Sequence, residues 1–199
     1  MAKKIITITR QYGSGGREIG ETLAKRLGVS FWDNKLLDVA AKDSGIHKTH
    51  FEESDERRTN SFLYLLSTTY GQGGVPFDDA LFFAQLSAIQ KIASKESCLI
   101  IGRCADYALR DFNNVVNIYI TAPLEDRINR AINAYGIGEK HAAEYVKRMD
   151  KQRISYYNYY TDKRWGVPEN YELCLDSSAL GIEGSVDLLE DFIKKYFKE

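Results

Sequence analysis

The chain opens with a strand, a glycine-rich turn and a helix, and this order constrains the fold more than any other feature. The β-branched run Ile5–Thr9 (IITIT) predicts a buried strand, and Arg17–Leu27 predicts an amphipathic helix. Between them lies the turn Gln11–Gly16 (QYGSGG). Glycines let a backbone approach a phosphate closely, and a helix N-terminus offers free N–H groups. The turn is therefore either a structural connection or a phosphate site, and we predict a phosphate site at Gly13, Ser14, Gly15 and Gly16.

Strands and helices alternate along the rest of the chain. Further strands are predicted at Val29–Trp32, Ser97–Gly102, Val115–Thr121 and Tyr171–Leu175. Further helices are predicted after Asp33 or Asn34 as a cap, and at Phe77–Ser94, Pro123–Ala134, Glu139–Tyr160 and Val186–Phe197. Such βα units build a parallel sheet, whose ligands bind at the carboxyl ends of its strands. A length of 199 residues suits one domain.

Composition narrows the class of partner. The net charge of -1 gives no global basic field, so we expect no nucleic-acid partner. No segment approaches the roughly 18 apolar residues of a membrane span, and no signal peptide is recognisable, so we expect a cytoplasmic protein without a membrane partner. The three cysteines form no CxxC pair and the histidines have no ligand-like spacing, so we predict reduced thiols and no metal site built from them.

The turn matches the P-loop motif G-x-x-x-x-G-K-[ST] only in part. Gly15 fits the second glycine of that motif. The first glycine then falls on Arg10, the lysine on Gly16 and the magnesium-binding hydroxyl on Arg17. The lysine and the hydroxyl are therefore missing.

The dinucleotide motif G-x-G-x-x-G also fails, because its third glycine, counted from Gly13, falls on Glu18. Asp33 nevertheless lies twenty residues after Gly13, following a predicted strand, where a ribose-binding acid would stand. On the turn alone, a dinucleotide-dependent oxidoreductase stays possible.

Several separated segments, taken in order, resemble the cytidylate kinase-like family of bacterial P-loop kinases. They are ITRQYGSGGREIG, FWDNKLLDVAA, CLIIGRCADYALRD, VVNIYITAPLEDRINR, DKQRISYYNYYTDKRWG, LCLDSS and GIEG. The resemblance covers nearly the whole chain and implies an α/β P-loop kinase fold, with a central parallel sheet of about five strands flanked by helices. It implies one domain over residues 1–199, with a helical insertion on the monophosphate side at 34–95 and a lid at 136–166.

The resemblance also implies roles for single residues. The glycine turn corresponds to the phosphate loop, and Asp33 to an aspartate that closes the second strand. Arg103 corresponds to the arginine of a Gly-Arg pair that meets the monophosphate of the acceptor. Asp150 and Arg153 resemble the Asp-x-x-Arg spacing of the lid, and Asp176-Ser177 the Asp-Ser after the last strand. On this resemblance we predict five substrate-binding residues, which are Asp33, Arg103, Asp106, Asp150 and Arg153.

Three positions depart from true cytidylate kinases. Those enzymes place an aspartate that reads the cytosine base directly after the Gly-Arg pair, whereas this chain has Cys104, with Asp106 two residues later. Asp78 stands where another of their arginines aligns, and the loop lysine is absent. Cytidine monophosphate as the substrate therefore rests on the resemblance alone.

Phosphoryl transfer needs cations around the transferring group, and arginines suit this because they stay charged and bind phosphate in a bidentate way. Arg10 is our first candidate for the role of the missing lysine and Arg17 the second. Arg148 and Arg153 would contact phosphates from the lid, beside tyrosines that stack on bases. Glu18 either contacts Mg²⁺ through water or is an acid favoured by the helix dipole.

We therefore predict a kinase that transfers a phosphoryl group from ATP or another nucleoside triphosphate, with Mg²⁺, to a small phosphorylated acceptor. The acceptor we expect is a nucleoside monophosphate, so the partners are small nucleotides. The alternatives are a catalytically silent nucleotide-binding protein, favoured by the missing lysine and hydroxyl, and a dinucleotide-dependent oxidoreductase, favoured by Asp33.

Overall fold

A parallel sheet forms the centre of the protein. The computed structural model describes residues 3–54 and 77–198, and within them five strands pair in the order β2-β3-β1-β4-β5. All four pairings are parallel. The strands are β1 (Ile5–Arg10), β2 (Ser30–Trp32), β3 (Cys98–Ile101), β4 (Val115–Thr121) and β5 (Leu173–Asp176).

Helices connect these strands and cover both faces of the sheet. They are α1 (Gly16–Leu27), α2 (Lys35–Ser44), α3 (Lys48–Ser54), α4 (Phe77–Lys95), α5 (Ala105–Ala108), α6 (Leu124–Asn133), α7 (Glu139–Thr161) and α8 (Gly181–Tyr196). A short 3₁₀ turn, Pro168–Asn170, precedes β5. Within the described residues, no helix has both the length and the apolar character that crossing a membrane requires.

The side chains of the inner strands alternate between two apolar cores. In β3, Cys98 and Ile100 pack with α2 and α4, whereas Leu99 and Ile101 pack with α1 and α8 on the other face. Burial on both faces explains why these strands are continuous apolar runs in the sequence. In the sheet register, Arg10 at the end of β1 lies opposite Ile120 near the end of β4. The carboxyl ends of β1, β3 and β4 therefore meet at one edge.

The predicted strands and helices are confirmed, with shifts at their ends. Pro123 precedes α6 with an extended backbone (φ -52°, ψ 144°) instead of occupying its first turn. The last helix begins at Gly181 rather than at Val186, and the last strand at Leu173 rather than at Tyr171. The loop predicted over residues 71–76 lies outside the described residues.

Candidate functional site

The glycine turn is shaped so that only backbone fits between its neighbours. Gly13 and Gly15 have left-handed backbones, with φ of 81° and 76°. A Cβ added to Gly13 would lie 2.5 Å from the backbone oxygen of Arg127, and one added to Gly16 would lie 2.7 Å from the Cβ of Arg10. Among the described residues, no side chain caps the first turn of α1. Its first N–H groups thus face the turn and suit an anion.

Arg127 and Asp150 hold the turn in place from below. The Nη1 of Arg127 lies 2.5 Å from the Oδ2 of Asp150 and donates to the backbone oxygen of Tyr12 at 3.2 Å. The Oδ1 of Asp150 accepts the backbone N–H of Tyr12 at 2.8 Å. Both side chains are buried, so loss of either partner would leave an unpaired charge beneath the turn. The sequence suggested substrate binding for Asp150, and the structure places its carboxylate against the turn itself.

Polar side chains from the strand ends complete this support. The hydroxyl of Ser177 donates to the backbone oxygen of Ser14 at 2.6 Å. The hydroxyl of Ser14 donates to the backbone oxygen of Gln11 at 2.9 Å, and the Oε1 of Gln11 accepts from Thr121. Ser14 is buried, so its side chain shapes the turn while its neighbours face the cleft.

An open cleft of about 240 Å³ lies above the turn. Three arginines line it, and none of the described residues that line it is acidic. The lining residues are Arg10, Gln11, Tyr12, Gly13, Gly15, Gly16, Arg17, Tyr135 and Arg153. The charge and the backbone N–H groups both suit phosphates, so a nucleoside triphosphate fits the residues present.

A second, small cavity of about 20 Å³ lies beside the end of β3. Its lining includes Arg103, which is only 3% exposed and donates from Nη2 to the Oδ1 of Asn34 at 2.9 Å. The other lining residues are Thr9, Arg10, Gly102, Cys104, Arg153, Tyr156, Tyr157 and Trp165. The side chain of Asn34 thus orients Arg103 and does not cap α2, contrary to the sequence expectation.

The backbone is left-handed at three successive residues beside this cavity. The φ values are 69° at Gly102, 58° at Arg103 and 54° at Cys104. Residues with side chains rarely adopt this conformation, and such positions concentrate at functional sites. The turn directs the chain away from β3 and into α5 at the carboxyl edge of the sheet.

Asp106, in α5, is bound to Tyr157 of α7. The hydroxyl of Tyr157 donates to the Oδ2 of Asp106 at 2.5 Å, and the Oδ1 has no hydrogen-bond partner among the described residues. Burial raises the pKa of Asp106 above its ordinary value, against the opposing effect of the Tyr157 hydrogen bond. Burial likewise raises the pKa of Tyr157. The pair fastens α7 to the cavity that contains Arg103.

Arg10 and Arg153 line both the cleft and the small cavity. The Nη1 of Arg153 donates to the backbone oxygen of Arg10 at 3.1 Å, and its guanidinium lies 5.6 Å from the ring centre of Tyr12. The structure therefore brings these two predicted residues together between the two spaces.

Other predicted residues lie at the margins of the site. The Nε of Arg17 lies 2.7 Å from the Oδ2 of Asp33, and an Nη1 of Arg130 lies 3.4 Å from the Oε2 of Glu18. Arg148 is exposed, lies 5.0 Å from the ring centre of Tyr145 and is not among the residues lining either space.

The residues present do not fit a protein-held Mg²⁺ at the turn. The position of the metal-binding hydroxyl is Arg17, and the nearby carboxylate of Asp33 is engaged by that arginine. Across residues 3–54 and 77–198, no three His, Cys, Asp or Glu side chains are grouped so that they could share a metal ion.

Arg127 and Asn34 are the main contributors that the sequence did not assign to the site. Arg127 lies one turn before buried Ala131 on the apolar face of α6, and a charge on such a face was the available signal. Asn34 offered no signal beyond its place ahead of a helix, because its partner Arg103 is 69 residues away.

Solved structures of other proteins resemble this fold over nearly its whole length. A search of curated proteins finds no match. An uncharacterized protein from Eubacterium ventriosum is 26% identical with a TM-score of 0.74, over 96% of this chain and 99% of that chain. Shikimate kinase from Bacteroides thetaiotaomicron is 14% identical with a TM-score of 0.57, over 97% and 99%. A gluconokinase from Sinorhizobium meliloti is 13% identical with a TM-score of 0.53, over 98% and 97%.

The two kinases are too distant to show more than the fold, and they confirm the predicted P-loop kinase fold. The strand order agrees, because in the dinucleotide-binding fold the second strand lies beside the first, whereas here β3 lies between them. The sequence profile of the cytidylate kinase-like family matches residues 5–179. The chain therefore belongs to the cytidylate kinase-like family.

Proposed function

We propose that the protein transfers a phosphoryl group from a nucleoside triphosphate to a small phosphorylated acceptor, specifically a nucleoside monophosphate. The family and the P-loop kinase fold support a nucleotide-dependent kinase. The observation that carries the proposal is that Arg10 and Arg153 line both the cleft above the turn and the cavity at Arg103. Two spaces that share two arginines match a donor and an acceptor that exchange a phosphoryl group.

In this proposal, the triphosphate binds on the backbone N–H groups of the turn, and Arg103 binds the phosphate of the acceptor. An oxygen of the acceptor phosphate attacks the terminal phosphorus of the donor, and the bond from that phosphorus to its bridging oxygen breaks. A nucleoside diphosphate leaves. Arg10 and Arg153 stabilise the charge on the transferring group, since positioning and cations carry most of this catalysis.

Arg10 takes the place of the missing lysine. A lysine at position 16 would need the space that the side chain of Arg10 occupies, because a Cβ there would lie 2.7 Å from the Cβ and 3.2 Å from the Cγ of Arg10. The charge therefore reaches the cleft from the end of β1 rather than from the first turn of α1.

The catalytically silent alternative remains the second candidate, because neither the lysine nor the hydroxyl of the motif is present. A turnover assay with the nucleotides that bind distinguishes the two. The oxidoreductase alternative loses its main support, because the acid that would bind a ribose, Asp33, is paired with Arg17. We propose nucleotides as the partners, with neither nucleic acid nor membrane among them.

Replacing Arg103 tests the proposal most directly. We expect Arg103→Ala to weaken binding of the monophosphate strongly and of the triphosphate little. One charge-assisted contact is worth about 1.5–3 kcal/mol, or roughly 10- to 150-fold in affinity. Arg103→Lys should recover only part of this, because a point charge cannot reproduce the bidentate fork. The measurement is calorimetric titration with each nucleoside monophosphate and with ATP.

Arg110→Ala is the matched control, because Arg110 also lies in the segment after β3 but is exposed and bound to Tyr107. It should leave both affinities unchanged. An equal loss of affinity for both ligands in Arg103→Ala would indicate that Arg103 has a role in folding. No loss of either would remove the acceptor site from this edge of the sheet.

A further inference from the structure

Arg17 stands where a P-loop carries its metal-binding hydroxyl, and Asp33 fixes its orientation. The Nε of Arg17 lies 2.7 Å from the Oδ2 of Asp33, whose side chain is only 13% exposed. Its Nη1 lies 3.3 Å from the Oε2 of Glu21, one turn further along α1. The guanidinium, on a side chain that is 57% exposed, therefore has two acidic partners beside the turn. The hydrogen bonds of its guanidinium to described residues come from Nε and Nη1.

The rest of the cleft also favours fixed cations over a metal ion. Arg10, Arg17 and Arg153 line it, and none of its described lining residues is a carboxylate. Glu18, the nearest acid after the turn, lies 3.4 Å from Arg130 instead. A divalent cation would thus meet three positive charges and no carboxylate oxygen from the lining.

We infer that Arg17 supplies the positive charge that a divalent cation supplies in a complete P-loop, so that triphosphate binding at the turn does not depend on Mg²⁺. This inference rests on the proposed function, because it requires phosphates on the turn. A guanidinium can bind two phosphate oxygens at once, which is also how a bridging metal ion neutralises the donor. Asp33 acts as a positioning residue for Arg17.

The first measurement is a calorimetric titration of the unaltered protein with ATP, in EDTA and again in Mg²⁺. We expect dissociation constants that agree within about threefold, a difference below 1 kcal/mol. The second measurement repeats both titrations on Arg17→Ser, which restores the hydroxyl of the motif and releases Asp33. We expect this variant to lose roughly 10- to 150-fold in affinity in EDTA. Mg²⁺ should recover most of that loss.

Two further variants separate charge from fold. Lys25→Ser changes an exposed cation on the same helix and should bind ATP as the unaltered protein does in both buffers. Arg17→Lys keeps a charge and should keep the independence from Mg²⁺, at reduced affinity. Thermal unfolding of each variant without ligand verifies that it is folded.

The outcomes distinguish this inference from the kinase proposal. Binding of ATP to the unaltered protein only in Mg²⁺ would overturn the inference and leave the kinase proposal standing. Binding in neither buffer would overturn both. An equal loss in both buffers for folded Arg17→Ser would show that Arg17 does not replace the cation.

Discussion

The glycine at position 16 leaves space for the side chain of Arg10 beside the cleft. The missing side chain leaves room for Arg10, which extends from the last residue of β1 into the space that a lysine would need. Position 10 is also where the motif carries its first glycine. Compared with the motif, positions 10 and 16 have therefore exchanged residue types: the cation is at position 10 and the glycine at position 16.

This exchange predicts a rescue. Gly16→Lys alone should destabilise the protein by about 1–3 kcal/mol, because it overpacks the space beside Arg10, and should weaken ATP binding. Arg10→Gly with Gly16→Lys should regain stability and affinity, because the double variant has the glycine and lysine spacing of the motif. Denaturant unfolding and calorimetric titration with ATP measure both effects. If the double variant binds no better than Gly16→Lys, Arg10 does not occupy the place of the lysine.

On the scale of secondary structure, the two halves of α7 make different kinds of contact with the rest of the protein. Its first half packs through Ala142 and Val146, which are buried and apolar. Its second half is held by the buried pair with Arg127, by the bond from Tyr157 to Asp106, and by the bond from Arg153 to Arg10. The glycines at the two ends of the predicted lid segment, residues 136–166, also differ in how closely they are packed. A Cβ at Gly136 or Gly138 would meet nothing within 4 Å, whereas one at Gly166 would lie 2.9 Å from the hydroxyl of Tyr119.

We predict that any lid motion of the segment is confined to residues 136–149. Hydrogen exchange with and without ATP should show a gain in protection before Asp150 and little change from Asp150 to Thr161, because buried polar contacts hold that half in both states. The turn Gln11–Gly15 serves as the internal control, since bound ATP should protect it. If ATP protects the turn but changes the exchange of neither half of α7, the segment does not act as a lid.

The same elements show what the sequence could and could not predict. Apolar runs and helical periodicity predicted β1, β3, β4 and α4, because these signals depend on neighbouring residues alone. The support of the turn could not be predicted in this way, since Arg127 and Tyr12 are 115 residues apart. The sequence predicted α6 only as a helix, and it is the packing of α6 under the turn that makes Arg127 a central residue. The sequence could therefore nominate the glycine turn and the nearby arginines as a candidate site, but it could not predict the long-range contacts that support the turn.

On the scale of the whole molecule, one buried carboxylate affects stability. Domains of this kind unfold at a cost of only about 5–15 kcal/mol, so a single ionisable group is a visible fraction of the total. Asp106 is buried and bonded to Tyr157, which lines the small cavity, and burial raises the pKa of Asp106 above the ordinary 3.8. Between pH 3.8 and the raised pKa, the folded protein thus holds a proton that the unfolded chain releases.

Stability should therefore fall as pH rises from 3.8 through the raised pKa of Asp106, and the loss is complete above it. The slope from this group is at most about 1.4 kcal/mol per pH unit. Asp106→Asn keeps an oxygen acceptor for Tyr157 and cannot ionise, so it should flatten the profile and raise stability at neutral pH. Denaturant unfolding at a series of pH values from below 3.8 to neutral measures the free energy of unfolding of each variant. The exposed Asp111→Asn is the control, and identical profiles for both variants would contradict the prediction.

The left-handed run from Gly102 to Cys104 also limits how this protein can evolve. A side chain in that conformation costs roughly 1–2 kcal/mol, and the cost is lowest for glycine, asparagine and aspartate. The backbone itself therefore disfavours β-branched replacements at position 104. The aspartate that true cytidylate kinases carry there is one of the few residues that the backbone permits. Replacing Cys104 by aspartate or asparagine would therefore keep the backbone of this turn, whereas most other replacements would add conformational cost whatever their chemistry.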